Sequence, residues 1–345
     1  MKRSISFLLG AIIFLTAAGA AFAWGDDGHQ AVGKIASLRI KTRTARKIAQ
    51  ILKPGETLAS IATWADTVKE RMGKTDPDPD TNAFLQDMAH NEKNREWHYD
   101  DLPLNCKSYQ TCTGFTPDND IVHMLNICIR TLQGHADPNH PLSQRNALRL
   151  LVHFLGDIHQ PLHVSCGFID VNGPNHTIVI VRDPALIKQK HLPSDKGAND
   201  LVIDNDRMNL HSFWDFTLVT SLMTSIGQEI TSDTLGTFLK DNVKPKASWK
   251  AHGPLNTWAA QWATDSIRLS RDHTYQSVKI VGQRTIPVLS HGQPLVRDGQ
   301  PVMQTVFDIT RAANYESANR QVVRQQLAKG GFRLATLLDA IFAAN

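Results

Sequence analysis

The sequence predicts an all-α protein, a single multi-helix domain with minor surface β-hairpins, and three observations carry that prediction. Apolar residues recur at helical spacing along most of the chain. Strand-like patterns are confined to two segments, residues 173–181 and 278–306. No shift in composition divides the 345 residues into two halves, and a chain of this length can bury one large core.

Eight stretches are predicted to be helices, and their apolar stripes are predicted to form the core. In the fourth stretch Ser143 should cap the first turn, because its hydroxyl can accept from a free backbone N–H. Pro161 should stop the same helix, because proline lacks an N–H and clashes with the preceding turn. The eight stretches cover residues 28–51, 58–71, 121–134, 143–158, 210–226, 232–239, 254–270 and 315–342.

Three segments depart from helical periodicity. Residues 177–181 are a short run rich in β-branched side chains, which favours a strand. Residues 278–306 alternate in polarity and are punctuated by glycine and proline, so we expect hairpins on the surface. Residues 73–83 are rich in proline and aspartate and are predicted to be a loop.

The first 23 residues are typical of a secretory signal, with Lys2 and Arg3, a short apolar run at residues 8–15, and a cleavable Ala-Phe-Ala at residues 21–23. We therefore expect an exported protein, periplasmic or secreted, whose functional domain covers residues 24–345. No later stretch is long and apolar enough to span a bilayer, so no stable membrane association is expected. The formal charge of +4 would fall by two on cleavage, which excludes binding through a strong global field.

Four cysteines are present, and an oxidising compartment favours disulfides between them. Three pairings are possible, and the sequence does not select one. We favour Cys106–Cys112 with Cys128–Cys166. A thiolate zinc site is not expected, because there is no Cys-x-x-Cys.

Histidine and aspartate recur at a spacing that suits a metal. His153 and Asp157 are four residues apart, so a helix places both on one face, and His163 follows just past the helix end. His211 and Asp215 repeat the spacing. Imidazole and carboxylate are ligands that zinc accepts, so two such pairs and a neighbouring histidine predict a zinc site.

Five motifs in one order extend this pattern over nearly all of residues 24–342. They resemble those of the zinc-dependent, single-strand-specific nucleases of fungi, plants and bacteria, distant relatives of zinc phospholipase C. Motifs combined in order carry little risk of a chance match. They are Trp-Gly-x-x-Gly-His at residues 24–29, Trp-Ala-Asp at 64–66, Trp-His-Tyr at 97–99, His-x3-Asp-x5-His at 153–163, and Asn-Leu-His-x2-Trp-Asp at 209–215.

The resemblance implies the helical fold of that family and three zinc ions in one cleft. The implied ligands are Asp66, His98, His153 and Asp157 for the first zinc; His163, His211 and Asp215 for the second; and the amine and carbonyl oxygen of Trp24, His29 and a bridging Asp157 for the third. His159 is not a ligand in this scheme. Nitrogen and carboxylate ligands with open positions are typical of catalytic zinc.

The resemblance also implies how the site would act. A water shared by two zincs would become a hydroxide near neutral pH and attack the phosphorus. Asp66 and Asp157 would hold those zincs, and Lys69 would neutralise charge on the phosphoryl oxygens.

Two further residues match substrate-binding positions of the resembled family, and two other positions depart from its pattern. Tyr99 would stack on a base and Asp101 would hydrogen-bond the base edge. Asn199 would contact substrate or support the metals, although it lies in Gly-Ala-Asn where relatives often have Gly-Gly-Asn. Phe216, after the last ligand, stands where relatives usually carry a smaller or polar residue.

The expected function is an endonuclease that hydrolyses single-stranded RNA and DNA to 5′-phosphate products, acts on 3′-nucleotides, and works as a monomer. One alternative is a phospholipase C, because a similar zinc cluster can cleave the phosphodiester of a lipid headgroup. Another is a non-catalytic exported zinc-binding protein, although such proteins tend to use His-rich flexible tracts.

Overall fold

The computed structural model describes residues 24–87, 94–203, 208–227, 229–290 and 293–343. Residues 1–23, the predicted export signal, lie outside the described residues. The protein is 52% helical and 14% strand, so helices dominate as expected. None of the described helices has both the length and the apolar character needed to cross a membrane.

The α-helices of the described chain are α1 (Gly25–Ser37), α2 (Thr42–Ile51), α3 (Trp64–Lys69), α4 (Pro79–Gln86), α5 (Ile121–Leu132), α6 (Gln144–Asp157), α7 (Pro184–Lys190), α8 (Leu210–Ser212), α9 (Leu218–Ile226), α10 (Ser232–Asn242), α11 (Trp258–Leu269) and α12 (Tyr315–Ile341). Shorter 3₁₀ turns occur at Glu96–His98, Tyr109–Thr111, Pro161–His163, Pro174–His176, Ala247–Trp249 and Leu255–Thr257. Two π turns, Phe213–Thr217 and Ser270–Thr274, extend α8 and α11.

Helix α6 lies at the centre of the fold. It packs against α1, α3, α4, α5 and α12, and all of its residues from Arg145 to Asp157 are buried. The predicted cap is confirmed, since Ser143 Oγ accepts from Asn146 N at 3.1 Å. The helix ends at Asp157, and Pro161 begins the 3₁₀ turn Pro161–His163, so the C-terminal half of α6 and the turn after it present buried polar side chains.

The strands form one four-stranded sheet and several two-stranded ladders. The larger sheet has the order β6 (Met208–Asn209), β5 (Leu201–Ile203), β12 (Met303–Thr310), β7 (Lys279–Pro287). The ladders pair β1 (Leu102–Pro103) with β2 (Ser165–Cys166), β3 (Phe168–Asp170) with β4 (Val179–Val181), β8 (Leu289–Ser290) with β9 (Gln293–Pro294), and β10 (Val296–Arg297) with β11 (Gln300–Pro301). The β1–β2 pairing matters most for the site, because it fixes the chain after residue 98 beside the chain after residue 163.

The predicted single helix over residues 28–51 is wrong. The chain forms α1 and α2 instead, separated by residues 38–41. The break comes from a distant contact, since Asp339 of α12 accepts from Lys41 N at 3.0 Å and from Thr44 Oγ1 at 2.6 Å. Those bonds satisfy donors at the start of a new helix, which stabilises a second N-terminus.

Two shorter predictions also need correction. The predicted loop at residues 73–83 contains the start of α4, where Pro79 takes the first helical position, which proline tolerates. The predicted helix at residues 58–71 is helical only over α3. Turns precede α3, with a reciprocal pair of backbone-to-hydroxyl bonds between Thr57 and Ser60.

The expected surface hairpins at residues 278–306 are only partly right. Strands β7 and β12 do form a long antiparallel hairpin, but β12 also pairs in parallel with β5. Phe307 lies opposite Leu201 and is buried, as are Val306 and Ile309. The hairpin therefore covers the core on one side and presents its other face to solvent.

One of the two favoured disulfides is present. Cys106 and Cys112 are bonded, whereas Cys128 and Cys166 are free and buried, so the second pairing is wrong. Cys128 lies on α5 in the main hydrophobic core, and Cys166 lies on β2 in a smaller separate cluster with Phe168. Burial keeps both thiols protonated and raises the pKa of each well above its usual value.

A thiol titration checks this pairing. After unfolding in denaturant without reductant, the protein should release two thiols per chain, because only one disulfide ties up cysteine. Before unfolding, the titration should detect close to none, since both free thiols are buried. A reading of no thiols after unfolding would show that the second bond exists.

Candidate metal centre

Five separate elements bring the predicted ligands together. Trp24 and His29 come from the start of α1, Asp66 from α3, and His98 from the 3₁₀ turn Glu96–His98. The end of α6 and the turn after it supply three more, His153, Asp157 and His163, and α8 with its π turn supplies His211 and Asp215. All nine residues are buried, none with more than 3% of its surface exposed.

Asp157 is the centre of the first group. Its Oδ1 lies 3.2 Å from His29 Nε2, and its Oδ2 lies 3.0 Å from His98 Nδ1 and 3.3 Å from His153 Nε2. Asp66 Oδ1 lies on the same cluster, 3.6 Å from His153 Nε2 and 3.8 Å from His98 Nδ1. Both oxygens of one carboxylate thus face different imidazoles, as expected for a ligand shared between two ions.

The second group joins the turn after α6 to the π turn after α8. His211 Nε2 lies 3.0 Å from His163 Nε2 and 3.2 Å from Asp215 Oδ2. The other oxygen of Asp215 accepts from Gln160 Nε2 at 2.8 Å and from Trp24 N at 3.3 Å. Ligand atoms within 4.8 Å of one another therefore fall into three sets, His29–Asp66–His153, His98–His153–Asp157 and His163–His211–Asp215.

Backbone carbonyls orient three of the histidine rings. Nδ1 of His153 lies 2.7 Å from Ala62 O, that of His163 lies 2.9 Å from His98 O, and that of His211 lies 2.6 Å from Gly197 O. An Nδ1–H that donates outward leaves Nε2 as a free lone pair facing the cluster, which is the tautomer that a metal needs. His159 differs, because its Nε2 faces Arg333 and not the cluster, in keeping with its omission from the predicted ligands.

Burial keeps most of these imidazoles neutral. It lowers the pKa of His98 to about 4, with help from the nearby Lys69 charge, and that of His211 to about 3, with help from His163. It also lowers the pKa of His29 and His163. Neutral imidazole is the form that binds metal, so the environment prepares these rings as ligands.

The carboxylates have the opposite problem, because burial disfavours their charge. Burial raises the pKa of Asp215 well above its usual value. Burial acts in the same direction on Asp157, but His153 outweighs it and holds that pKa well below the usual range. With Asp66, three carboxylates share one cavity with mostly neutral rings, a charge arrangement that bound cations would stabilise.

Unpartnered polar atoms support the same interpretation. Within the described residues, His29 Nδ1, Asp66 Oδ2 and His98 Nε2 are buried atoms of this cluster that have no hydrogen-bond partner. Leaving such atoms without partners is costly in a folded protein. The donors are nitrogen and oxygen only, and each close set has three of them, which leaves a fourth position open as in catalytic zinc sites.

Two supporting residues were not identified from the sequence. Gln160 orients Asp215, and its own Oε1 accepts from Leu162 N at 2.6 Å. Gly156 accepts from the Trp24 indole N–H at 2.9 Å through its carbonyl. A Cβ on Gly156 would lie 2.5 Å from His29 Nδ1, so this position needs glycine for the imidazole to stack on α6. The sequence signal that could have identified Gly156 is its place between the ligands His153 and Asp157 inside a predicted helix.

A pocket of about 620 Å³ has Asp100 in its wall, and the Asp100 N–H donates to the backbone carbonyl of the predicted ligand His163 at 2.9 Å. Tyr99, the residue after His98, lines it with 40% of its surface exposed, and burial of the rest raises its pKa to about 12. Asp101 lines it too, and its Oδ2 accepts from Ser194 Oγ at 2.7 Å. Phe115 and Asn119, which the sequence analysis did not single out, form further parts of the wall.

The remaining predicted residues lie around the cluster. Lys69 is buried, and its Nζ donates to Asp66 Oδ1, so it is not a solvated surface lysine. Asn199 is half-buried, and its Nδ2 donates to Lys196 O at 2.8 Å. Its oxygen accepts from Asn209 Nδ2 at 3.3 Å, and Asn209 in turn caps α8.

This arrangement is that of a helical protein with buried histidine and aspartate groups that could hold metal ions, near a pocket with an exposed aromatic ring. Comparison with known proteins identifies the family, since residues 24–343 match the model of the S1/P1 nuclease family and the chain belongs to it. The protein is a nuclease.

Named relatives match along nearly their whole length. The chain is 25% identical to nuclease S1 of Aspergillus oryzae, over 93% of this chain and 92% of that protein. It is 25% identical to nuclease P1 of Penicillium citrinum, over 93% and 99% of the two chains, and 23% identical to endonuclease 2 of Arabidopsis thaliana, over 92% and 90%.

Replacing Gly156 with alanine tests the packing of the centre. Gly156→Ala should reduce bound metal and lower stability by about 1–3 kcal/mol, because the new methyl group displaces the His29 ring. Metal per chain by elemental analysis and thermal unfolding are the measurements. Gly227→Ala is the matched control, because nothing lies within 4 Å of a Cβ there. Normal metal content in Gly156→Ala would show that His29 does not depend on this close approach.

Proposed function

We propose that this nuclease hydrolyses the phosphodiester bonds of single-stranded RNA and DNA to 5′-phosphate products and also removes phosphate from 3′-nucleotides. The proposal rests on one observation: the predicted metal ligand His98 and the exposed aromatic residue Tyr99 are adjacent in the sequence. His98 faces the cluster, and Tyr99, the next residue, presents its ring to the adjoining pocket. A phosphate at the cluster would therefore have its nucleoside at Tyr99.

Three zinc ions are the proposed cofactor. Asp66, His98, His153 and Asp157 would hold the first, His163, His211 and Asp215 the second, and Trp24, His29 and Asp157 the third. Bound zinc would supply Lewis acidity and lower the pKa of water so that hydroxide is available at neutral pH.

The protein's own side chains would position and neutralise the scissile group. Asp66 of α3 and Asp157 of α6 are proposed to act in catalysis by holding the zinc ions at which the phosphodiester would react. Lys69 already places its ammonium group on Asp66, at the edge of the cluster. A phosphoryl oxygen arriving there would meet a buried cation, whose attraction is stronger than in water.

Specificity for single strands follows from the pocket. A base can lie on the Tyr99 ring only after it leaves its neighbours in the stack, which a duplex resists. Asp101, anchored by Ser194, is proposed to accept from the N–H groups of a base edge. Asn199 is proposed as a further substrate contact. It lies in the loop whose Gly197 carbonyl also orients the His211 ring.

Cleavage assays test the function. The mature protein beginning at Trp24 should cleave single-stranded RNA and DNA oligonucleotides much faster than the same sequences as duplexes, and its products should carry 5′-phosphates by mass spectrometry. A chelator should abolish cleavage, and Asp157→Asn should reduce it by at least about 100-fold, because the two oxygens of Asp157 face different imidazoles and are proposed to hold two zinc ions.

The same preparation separates the alternatives. Faster hydrolysis of short-chain phosphatidylcholine than of any nucleic acid would favour a phospholipase C. Stoichiometric zinc without hydrolysis of either substrate would favour a zinc-binding protein and would contradict the proposal.

The proposed export has a chemical consequence. Cleavage after Ala23 would create a free amine on Trp24, and Trp24 N already lies 3.3 Å from Asp215 Oδ1. A protein carrying one extra N-terminal residue should therefore hold fewer zinc ions and lose most activity. Elemental analysis and cleavage rate, with the N-terminus verified by mass spectrometry, are the measurements.

The matched control carries the same extra residue at the C-terminus and should behave as the mature protein. If the N-terminally extended protein keeps full zinc and full activity, the amine is not a ligand.

A further inference from the structure

Two exposed aromatic rings flank the ligand cluster. Among the phenylalanine, tyrosine and tryptophan residues that the structure describes, only Tyr99 and Phe216 are exposed, at 40% and 38%. Each comes directly after a ligand, Tyr99 after His98 and Phe216 after Asp215. Single exposed apolar side chains are common, so exposure alone is no argument, but these two rings share their position directly after a predicted ligand.

Contacts place Phe216 at the rim of the centre. A Cβ built on Gly25 would lie 3.0 Å from two carbons of the Phe216 ring and 3.4 Å from Asp215 O. Gly25 follows Trp24, whose backbone nitrogen contacts Asp215. The ring therefore lies beside the chain that carries the N-terminal ligand, at the second group, whereas Tyr99 adjoins the first.

A groove of about 570 Å³ leads away from Phe216 between α9 and α12. This is within the usual size range of small-molecule sites. One face of α9 and of the π turn before it lines the groove with hydroxyl groups at spacings of three and four residues. The lining residues are Phe216, Thr217, Thr220, Ser221, Thr224, Ser225, Glu316 and Arg320.

The charges of the groove balance. Arg320 Nη1 donates to Ser221 Oγ at 3.2 Å, and Ser221 Oγ donates to Glu316 Oε1 at 2.7 Å, so one cation and one anion share a hydroxyl. A groove with no net charge does not attract phosphate. Its aromatic ring and its hydroxyls, which both donate and accept, suit the uncharged base and sugar of a nucleotide.

We propose that the groove from Phe216 to Thr224 is a second nucleoside site, which binds the nucleoside on the other side of the scissile phosphate from Tyr99. The inference rests on the proposed function, since it assumes a nucleic-acid strand across the cluster. Phe216 would stack on the base, and Thr220 and Thr224 would hydrogen-bond its edge or sugar without selecting a sequence. The strand would thus be held by two separate stacking platforms with the phosphate between them.

The test compares substrates with one and two nucleosides. Phe216→Ala should lower kcat/KM for a dinucleoside monophosphate by about 5- to 100-fold, the range expected for the loss of one stacked base. It should change kcat/KM for a nucleoside 3′-phosphate less than twofold, because that substrate has no second nucleoside. Tyr99→Ala should lower both, and Phe216→Tyr should keep both.

Direct binding provides a readout without turnover. By calorimetry on the zinc-loaded protein, Phe216→Ala should weaken a non-hydrolysable dinucleoside phosphonate by a similar factor and leave the mononucleoside phosphonate unchanged. Leu38→Ala is the matched control, because Leu38 is an exposed apolar side chain (44%) that lines neither pocket.

Thr220→Trp keeps the test decisive if Phe216→Ala disturbs the metals. This substitution fills the groove from an exposed helix position and should reproduce the selective loss. Equal losses on both substrates, with zinc content unchanged, would show that Phe216 only supports the centre and would overturn the proposal. No loss on the dinucleoside substrate with either variant would overturn it as well. If the unaltered protein cleaves no single-stranded substrate at all, the proposed function itself is wrong. That result is distinct from every outcome with the variants.

Discussion

The burial of three carboxylates among five imidazoles is the constraint on which the rest of the structure depends. Desolvation penalises every charge in this cavity, and the rings that could neutralise the carboxylates are themselves mostly kept neutral by burial. Apart from the attraction between His153 and Asp157, the fold therefore has to hold these groups at close range through packing and backbone contacts. It does so by placing them at the ends of packed helices and by fixing ring after ring to backbone carbonyls. Such fixed side chains suit tight cation binding and catalysis by preorganised charges.

Local spacing indicates which of the predicted ligands lie close together, but it does not reveal the residues that support them. The four-residue spacings of His153–Asp157 and His211–Asp215 place ligand atoms within about 3.3 Å in the structure, because residues four apart lie on the same side of a helical segment. Gln160 lies in the same segment, yet nothing in its spacing indicates that its amide would meet Asp215, 55 residues away. Contacts of that kind arise from the way elements pack, and a single sequence does not encode them in any local pattern.

The errors in the predicted fold have the same origin. Helices whose ends are set locally, such as α6 with Ser143 and Pro161, were predicted to within a residue or two. The break between α1 and α2 depends on Asp339, almost 300 residues away, and the pairing of β12 with β5 joins strands about 100 residues apart. The unpaired Cys128 and Cys166 belong to two different hydrophobic clusters, which their number and spacing could not reveal.

A charged network behind the centre completes this account of rigidity. Arg145 and Arg149, on the first turns of α6, bind Glu56 and Asp78, and the Arg149 guanidinium also lies 4.9 Å from the centre of the Trp64 ring on α3. Burial acts to raise the pKa of Glu56, but bonds from Arg145, Lys53 N and Arg149 outweigh it and lower that pKa to about 2. A carboxyl whose folded pKa lies below its unfolded value stabilises the fold above the unfolded pKa and loses that contribution as the pH falls toward 2. Because α3 carries Asp66 and α6 carries His153 and Asp157, the network fixes the two helices at a distance from the metal ligands. The relative position of α3 and α6 is thus held by ion pairs that persist through mildly acidic pH. The residues of these ion pairs are not among the ligands, so they do not compete with the ligands for the cations.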